Sequence, residues 1–311
     1  MVEGYCNVNR DKLHHICQIS GDQGVIFYIV WDYIVFFCIL CTNVRKYKVV
    51  LVAVTLMANH IHVAFFGNLS EIEDCMRSTL SSFCLEYNKR GGTCRLKFRK
   101  GLNKSVKVSA KKSRNCLIYI LNNPVEKYAC GKALEYRWNF LQYFNNNHPF
   151  SEEIVWRRSS SIFKRVCSLV TAAKDAGYFI RYDFLATWMK KLSTSERLQL
   201  CDFIVSSYNV IDYHSMLTGF GNFEALRIAL ESTTGSDYDI REDLCKENYL
   251  HYIALFNLLR KNIMFGEKGE IRFDVSKALK LANRLLRNSD VTAFEISRYL
   301  HLPSLGDLGS A

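Results

Sequence analysis

Apolar positions come in short alternating or continuous blocks early in the chain and settle into a period near 3.6 later. Leu13–Ile19 reads as a strand closed by the turn signal Ser20-Gly21-Asp22. Val25–Val30 reads as a second extended stretch leading into a buried helix from about Asp32, with that carboxylate as N-cap. Lys48–Met57 is rich in β-branched residues, and Ile61–Phe66 follows as another strand. The short link Ala58-Asn59-His60 suits antiparallel neighbours. Ser70 and Glu73 form a capping-box pattern. Ile72, Met76, Leu80, Phe83, Cys84 and Tyr87 then follow at helical spacing, and Gly91-Gly92 is the stop. Residues 95–108 read as a basic hairpin or two short strands, and Ser113 to about Asn123 as a helix with Pro124 near its end. This order predicts an α+β fold with helices on an antiparallel sheet.

From about Ser151 the pattern is helical almost throughout: Ile162–Ala173, Ser195–Tyr208, Phe223–Glu231, Tyr249–Ile263, Ser276–Arg287 and Thr292–Leu300. The polar stretch Asn145–Ser151 is turn-rich and divides the chain into residues 1–147 and a mostly α-helical unit, 148–311. Residues 290–303 resemble the first helix and turn of a helix-turn-helix, but a short Gly-rich run stands where its recognition helix would follow.

Charge separates the two units further. Residues 1–150 carry 20 Lys/Arg against 10 Asp/Glu, whereas 151–311 carry 21 against 20. The extreme is Lys89 to Arg114, with 11 basic residues and no acidic one: Lys89, Arg90, Arg95, Lys97, Arg99, Lys100, Lys104, Lys107, Lys111, Lys112 and Arg114. A local field of this kind attracts polyanions, nucleic acid foremost, although a solubilising surface has the same composition. The apolar run Val25–Cys41 imitates a membrane span, but it is short and Asp32 interrupts it. The chain has 12 cysteines, and its opening lacks the basic-then-apolar pattern of a signal peptide, so reduced thiols in a cytoplasm are expected. Cys38 and Cys41 form a CxxC with no second pair at zinc spacing and read as buried thiols.

The candidate chemistry is His60-Ile61-His62 together with Tyr119 and Asn123. Residues two apart on a strand share a face, so the two imidazoles stand side by side while Ile61 faces the core. Imidazole is a common ligand of first-row metals, but HxH alone is a weak signal. Tyr119 and Asn123 are four apart on a helix and share a face. On spacing alone, a core aromatic is the favoured reading of the tyrosine and a helix-terminal cap a reading of the asparagine. Chemically, the Asn123 amide oxygen can complete a metal triad and the phenol can attack, given a nearby cation to activate it.

These residues carry a family resemblance. The run LMANHIHVAFFG resembles the LMPNHVHLLV motif of HUH transposases, and LIYILNNPVEK resembles their YIHxNPVRAG motif. In the same order, Leu13-His14-His15-Ile16 with Gly21-Asp22 resembles the family's opening segment, and Tyr136–Phe140 the segment after NPV. The resemblance spans roughly residues 10–145 and is nearest to the REP-associated tyrosine transposases. It implies a ferredoxin-like HUH domain over 1–147, a divalent cation (Mg or Mn) on His60, His62 and Asn123, and Tyr119 as nucleophile. It also implies cleavage and rejoining of single-stranded or hairpin DNA through a 5′-phosphotyrosine link, in a bacterial cytoplasm and near the nucleoid, with no membrane partner. A homodimer stays open. Ala58 stands where proline is usual, Glu126 replaces a basic residue, and Arg137-Trp138-Asn139 replaces a serine-rich ending. Three rival readings remain. A zinc hydrolase lacks further ligand types after His62, a domesticated DNA-binding regulator keeps the fold without transposition, and a structural basic domain leaves the ordered matches unexplained.

Overall fold

The computed structural model describes residues 12–21, 24–91 and 95–232, with isolated positions at 264–265, 267–268, 271–272, 280, 284, 287 and 296. Its first part runs β1 (Leu13–Ile19), α1 (Val30–Tyr47), β2 (Val50–Leu56), β3 (His60–Phe66), α2 (Leu69–Lys89) and β4 (Asn103–Lys107). The spatial order is β2-β3-β1-β4, with β3 antiparallel to both neighbours and β4 antiparallel to β1. Each helix thus crosses over one intervening strand, which is the ferredoxin-like arrangement inside an α+β fold. Then come α3 (Ala110–Glu126), three 3-10 turns within 133–144, and α4 (Ser161–Asp175), α5 (Tyr182–Met189), α6 (Thr194–Tyr208), α7 (Tyr213–Leu217) and α8 (Phe223–Ser232). Met264–Phe265 (β5) and Ile271–Arg272 (β6) pair as a short antiparallel ladder. Among the described residues no helix is long and apolar enough to cross a membrane.

Side-chain alternation gives the sheet two faces, and each has its own core. Ile16, Leu51, Val54, Ile61, Val63 and Phe65 pack with α1 and α2, and α4, α5 and α6 extend this same cluster. On the other face Leu13, Val50, Val52, Ala53 and Ala64 pack with α3 and with Met216, Phe220, Leu226 and Leu230 of the α7–α8 segment. The register of β2 on β3 slips between Leu51 and Ala53, leaving Val52 as the extra residue of a bulge. The helices after residue 150 are joined to the sheet by specific bonds as well as by apolar contact. Asp212 donates its N–H to the Leu51 carbonyl (2.8 Å), and Arg45 donates to the Tyr208 carbonyl (2.9 Å).

Several local expectations are corrected. Residues 25–29 form no strand; they are a buried irregular segment, held in part by Ile26 and Phe27 N–H bonds to the Ala58 carbonyl. Asp32 is not the N-cap of α1. Ile29 holds that position in extended backbone, and Asp32, one turn in, reaches back to the N–H groups of Tyr28 (2.8 Å) and Ile29 (3.0 Å). The cap of α2 is Asn68, which accepts from Ser70 N–H, so Ser70 lies inside the helix and Glu73 is left to pair with Arg77 and Lys104. The basic stretch 95–108 supplies one strand, β4, plus an isolated bridge from Phe98 to Ser20. The expected helices at 249–263, 276–287 and 292–300, and the helix-turn-helix resemblance at 290–303, lie outside the described residues except for single helical positions at 280, 284, 287 and 296. Cys38 and Cys41 are fully buried inside α1, and burial pushes the Cys41 thiol up to about 12.

Candidate active site

Strand register places His15 and Cys17 on the same sheet face as His60 and His62. Cys17 lies opposite His62, Ile19 opposite His60, and His15 opposite Ala64. On the far side of β3, Thr55 of β2 is the register partner of His62. Helix α3 lies over this face. It opens on Ser109, whose side chain accepts from Lys112 N–H, and its buried stretch runs from Cys116 to Pro124. Tyr119 and Asn123 project from adjacent turns of α3 onto the histidines.

Both imidazoles are held through Nδ1. His60 Nδ1 lies 2.7 Å from Asn59 Oδ1, and His62 Nδ1 lies 3.1 Å from His15 Nε2. His60 Nε2 then faces Asn123 Oδ1 at 2.8 Å. A neutral imidazole has one N–H. If it goes to Asn59, the Nε2 lone pair and the Asn123 carbonyl oxygen converge on one spot. A shared cation, a proton on Nε2 or a rotated amide each resolves that contact. The Asn123 Nδ2 atom is buried and has no hydrogen-bond partner among the described residues. The chemistry of the set, two imidazoles and an amide oxygen, suits a divalent first-row cation. Among the described residues no group of three His, Cys, Asp or Glu side chains is disposed to hold a metal.

Electrostatics favour the ligating form of His62. Burial, then the neighbouring His60 and Lys127, hold its pKa well below the ordinary imidazole value, so the ring is neutral near neutral pH. Metal binding requires the neutral ring. The Tyr119 ring stands edge-on to His62, with centroids 5.5 Å apart, and to His15, at 6.2 Å. The residue is only 8% exposed. Four residues beyond Asn123, the half-buried Lys127 brings a positive charge to the same end of α3.

The basic candidates do not all share one environment. Arg95, Lys97, Arg99, Lys100, Lys111, Lys112 and Arg114 are exposed, and Lys107 is half-buried. Arg95, Lys97, Arg99 and Lys100 line a cavity of about 440 Å³ with Gly21 and Phe98. That loop is stitched to the end of β1 by Gly21 N–H to the Lys97 carbonyl (2.6 Å) and Gln18 Nε2 to the Arg99 carbonyl (2.8 Å). Lys89 and Lys104 are exposed but pair with Glu86 and Glu73. Arg90 is turned inward. Its guanidinium is buried 3.1 Å from the Asp32 carboxylate and sits over the rings of Tyr87 and Tyr182. Burial opposes its charge, but Asp32 and the two tyrosines prevail and raise its pKa.

Four residues of this neighbourhood lie outside the set that the sequence points to: His15, Asn59, Thr55 and Lys127. Asn59 and Lys127 had a local signal, adjacency to His60 and helical spacing from Asn123. His15 and Thr55 reach the site through strand pairing, which one-dimensional spacing does not reveal.

No family model matches the chain, and no curated protein matches it. Among solved structures it is similar to a REP-associated tyrosine transposase bound to a REP hairpin. The identity is 12%, over 44% of this chain and 81% of that chain, with a TM-score of 0.36.

Proposed function

We propose that the protein is a HUH-type transposase that cuts and rejoins single-stranded DNA with Tyr119 as nucleophile. The observation that carries this reading is the convergence of His60 Nε2 and Asn123 Oδ1 at 2.8 Å, beside a neutral His62 whose ring the Tyr119 ring meets edge-on at 5.5 Å. His60, His62 and Asn123 would hold a divalent cation, which when bound supplies Lewis-acid polarisation of the scissile phosphate. Asn59 and His15 fix the ring orientations through Nδ1, as outer partners of metal-bound histidines do. Tyr119 Oη forms a bond to the DNA phosphorus as the bond from phosphorus to the 3′ oxygen breaks. The phenol loses its proton, and the departing oxygen takes one up. One phosphoester replaces another, so the strand is rejoined by the reverse step with a second 3′-hydroxyl and no nucleoside triphosphate is consumed. Lys127 adds positive charge where a phosphate would sit, and the exposed basic residues from Arg95 to Arg114 would hold the flanking backbone.

The test is incubation of the full chain with Mn²⁺ and single-stranded DNA from the regions flanking its own gene, followed by denaturing electrophoresis. A covalent adduct is expected with the wild type. It should disappear with Tyr119→Phe, with His60→Ala or His62→Ala, and with EDTA. An adduct that persists in Tyr119→Phe, or strand cutting indifferent to chelation, rejects the assignment. DNA binding with no adduct under any condition favours the regulator reading, in which the fold recognises DNA without cutting it.

A further inference from the structure

Pro124 lies inside α3, four residues after Ile120. In an α-helix the N–H of residue i bonds the carbonyl of residue i−4, and proline has no N–H, so the Ile120 carbonyl loses its regular partner. A buried carbonyl without a partner is costly. The structure supplies a replacement from another element: the Thr55 hydroxyl of β2 donates to the Ile120 carbonyl at 2.7 Å, and Thr55 is fully buried. Thr55 is the register partner of His62, and Ile120 directly follows Tyr119. The bond therefore ties the strand beside one candidate ligand to the turn of helix that carries the candidate nucleophile. The bulge at Val52 makes this tie available. Strict alternation from Val50 would turn residue 55 to the opposite face, and the extra residue restores it to the histidine face.

We infer that Thr55 is a positioning residue: it docks α3 on the sheet through the carbonyl that Pro124 releases, and so sets the spacing of Tyr119 and Asn123 from His60 and His62. The positioning role rests on the reading proposed above, whereas the docking bond itself does not. In this view Pro124 is part of the docking device, and the helix continues past it to Glu126 because a side chain outside the helix has taken over the lost bond.

The test is a double-mutant cycle on the full chain with Thr55→Val and Pro124→Ala, plus Thr55→Ser as the conservative variant. It has two readouts: urea unfolding, and the Kd for Mn²⁺ by calorimetry without DNA. Thr55→Val keeps the shape but strands the carbonyl, so the folding equilibrium constant should fall by roughly 5- to 150-fold. In the Pro124→Ala background the alanine N–H pairs with Ile120, and the same substitution should cost much less. Equal costs in the two backgrounds would show that Thr55 does not stand in for the missing N–H, and the inference fails. Mn²⁺ affinity separates docking from mere satisfaction of a carbonyl. Thr55→Val should weaken it by about 10-fold or more, the range for outer partners of metal sites. Thr55→Ser should restore it, and the double variant should remain weak although its stability recovers. Recovery of both together, or no loss of affinity in Thr55→Val, would make Thr55 a structural residue only. If the wild type binds no Mn²⁺, the metal reading fails and the positioning role falls with it, while the stability cycle still decides the docking bond.

Discussion

Arg90 offers a sharp separation between charge that holds the fold and charge that faces a ligand. It belongs to the basic run, yet its side chain is 2% exposed and its partner Asp32 is 0% exposed. Removing one member of a buried ion pair costs about 3–5 kcal/mol, because the other charge is left in a low-dielectric interior. Two features of the structure move that figure in opposite directions. Asp32 keeps three donors after Arg90 is lost: the N–H groups of Tyr28 and Ile29 and the Tyr182 hydroxyl at 2.8 Å. They reduce the penalty. The guanidinium also lies 4.1 Å from the Tyr87 ring centroid and 4.0 Å from that of Tyr182, and each desolvated contact adds about 0.5–2 kcal/mol.

Arg90→Ala should therefore cost about 4 kcal/mol, a large share of the roughly 5–15 kcal/mol typical of a folded domain. Urea unfolding followed by circular dichroism measures it. Arg90→Lys should recover little, since a point charge cannot stack flat between two rings. Combining Arg90→Met with Asp32→Asn should cost less than the sum of the two single changes. At matched folded fraction, Arg90→Ala should leave both the affinity for single-stranded DNA and its salt slope as in the wild type. A loss of stability under about 1 kcal/mol, accompanied by a shallower salt slope, would refute the reasoning and return Arg90 to the DNA surface.

Reversing the charge of Lys97, Arg99 and Lys100 should do the opposite: stability holds while the log–log salt slope flattens by about 0.7 for each lost phosphate contact, read by titrating binding against salt. His62 has a folded pKa below its unfolded value near 6.5, so its contribution to stability is complete above that pH. It is lost as pH falls from there toward the depressed folded value, with a slope approaching about 1.4 kcal/mol per pH unit. His62→Ala should flatten the acid limb of a stability–pH curve in metal-free buffer, and an unchanged limb would contradict the assignment. A fragment of residues 1–150 should aggregate in size-exclusion chromatography, because it loses the α6 groups that close on Arg45 and Tyr143 and the Leu230 carbonyl that holds Asn122. A soluble, cooperatively folding 1–150 fragment would establish a domain boundary near residue 147.

What the sequence shows and hides follows from the range of each interaction. β1 was legible to its last residue and β3 to within one, because alternation and turn residues are local signals. So were α4 and α8, whose apolar positions keep a helical period. The pairing of His60 with His62, and of Tyr119 with Asn123, needs only the geometry of one strand and one helix. Arg90 misled because a lysine- and arginine-rich run reads as surface until a buried carboxylate from another helix is seen to meet it. The caps at Asp32 and Ser70 were misplaced because a carboxylate or hydroxyl serves a helix start from more than one position. Thr55 was out of reach for a stronger reason. Its facing depends on the bulge at Val52, and one inserted residue inverts every later side chain of a strand.

The two faces of the sheet differ in kind, and the difference is the reason to direct tests of the proposed chemistry at the histidine face. Toward α1 and α2 the strands present Ile16, Leu51, Val54, Ile61, Val63 and Phe65, an apolar layer that needs no explanation beyond burial. Toward α3 the same strands bury His15, Thr55, His60 and His62, and the helix adds Asn123, each at most 3% exposed. Polar groups in that setting are desolvated at a cost, and apolar residues of similar size would pack there with less penalty. Their hydrogen bonds run largely among themselves: His15 to His62, Asn59 to His60 to Asn123, Thr55 to the helix backbone. Within the α3 face, which also has an apolar cluster, these five buried polar side chains meet at one place and depart from apolar packing there. Such departures concentrate where a protein binds or reacts. Substitutions on the α1–α2 face should change stability alone, and those at the five polar positions of the α3 face should separate stability from cation binding.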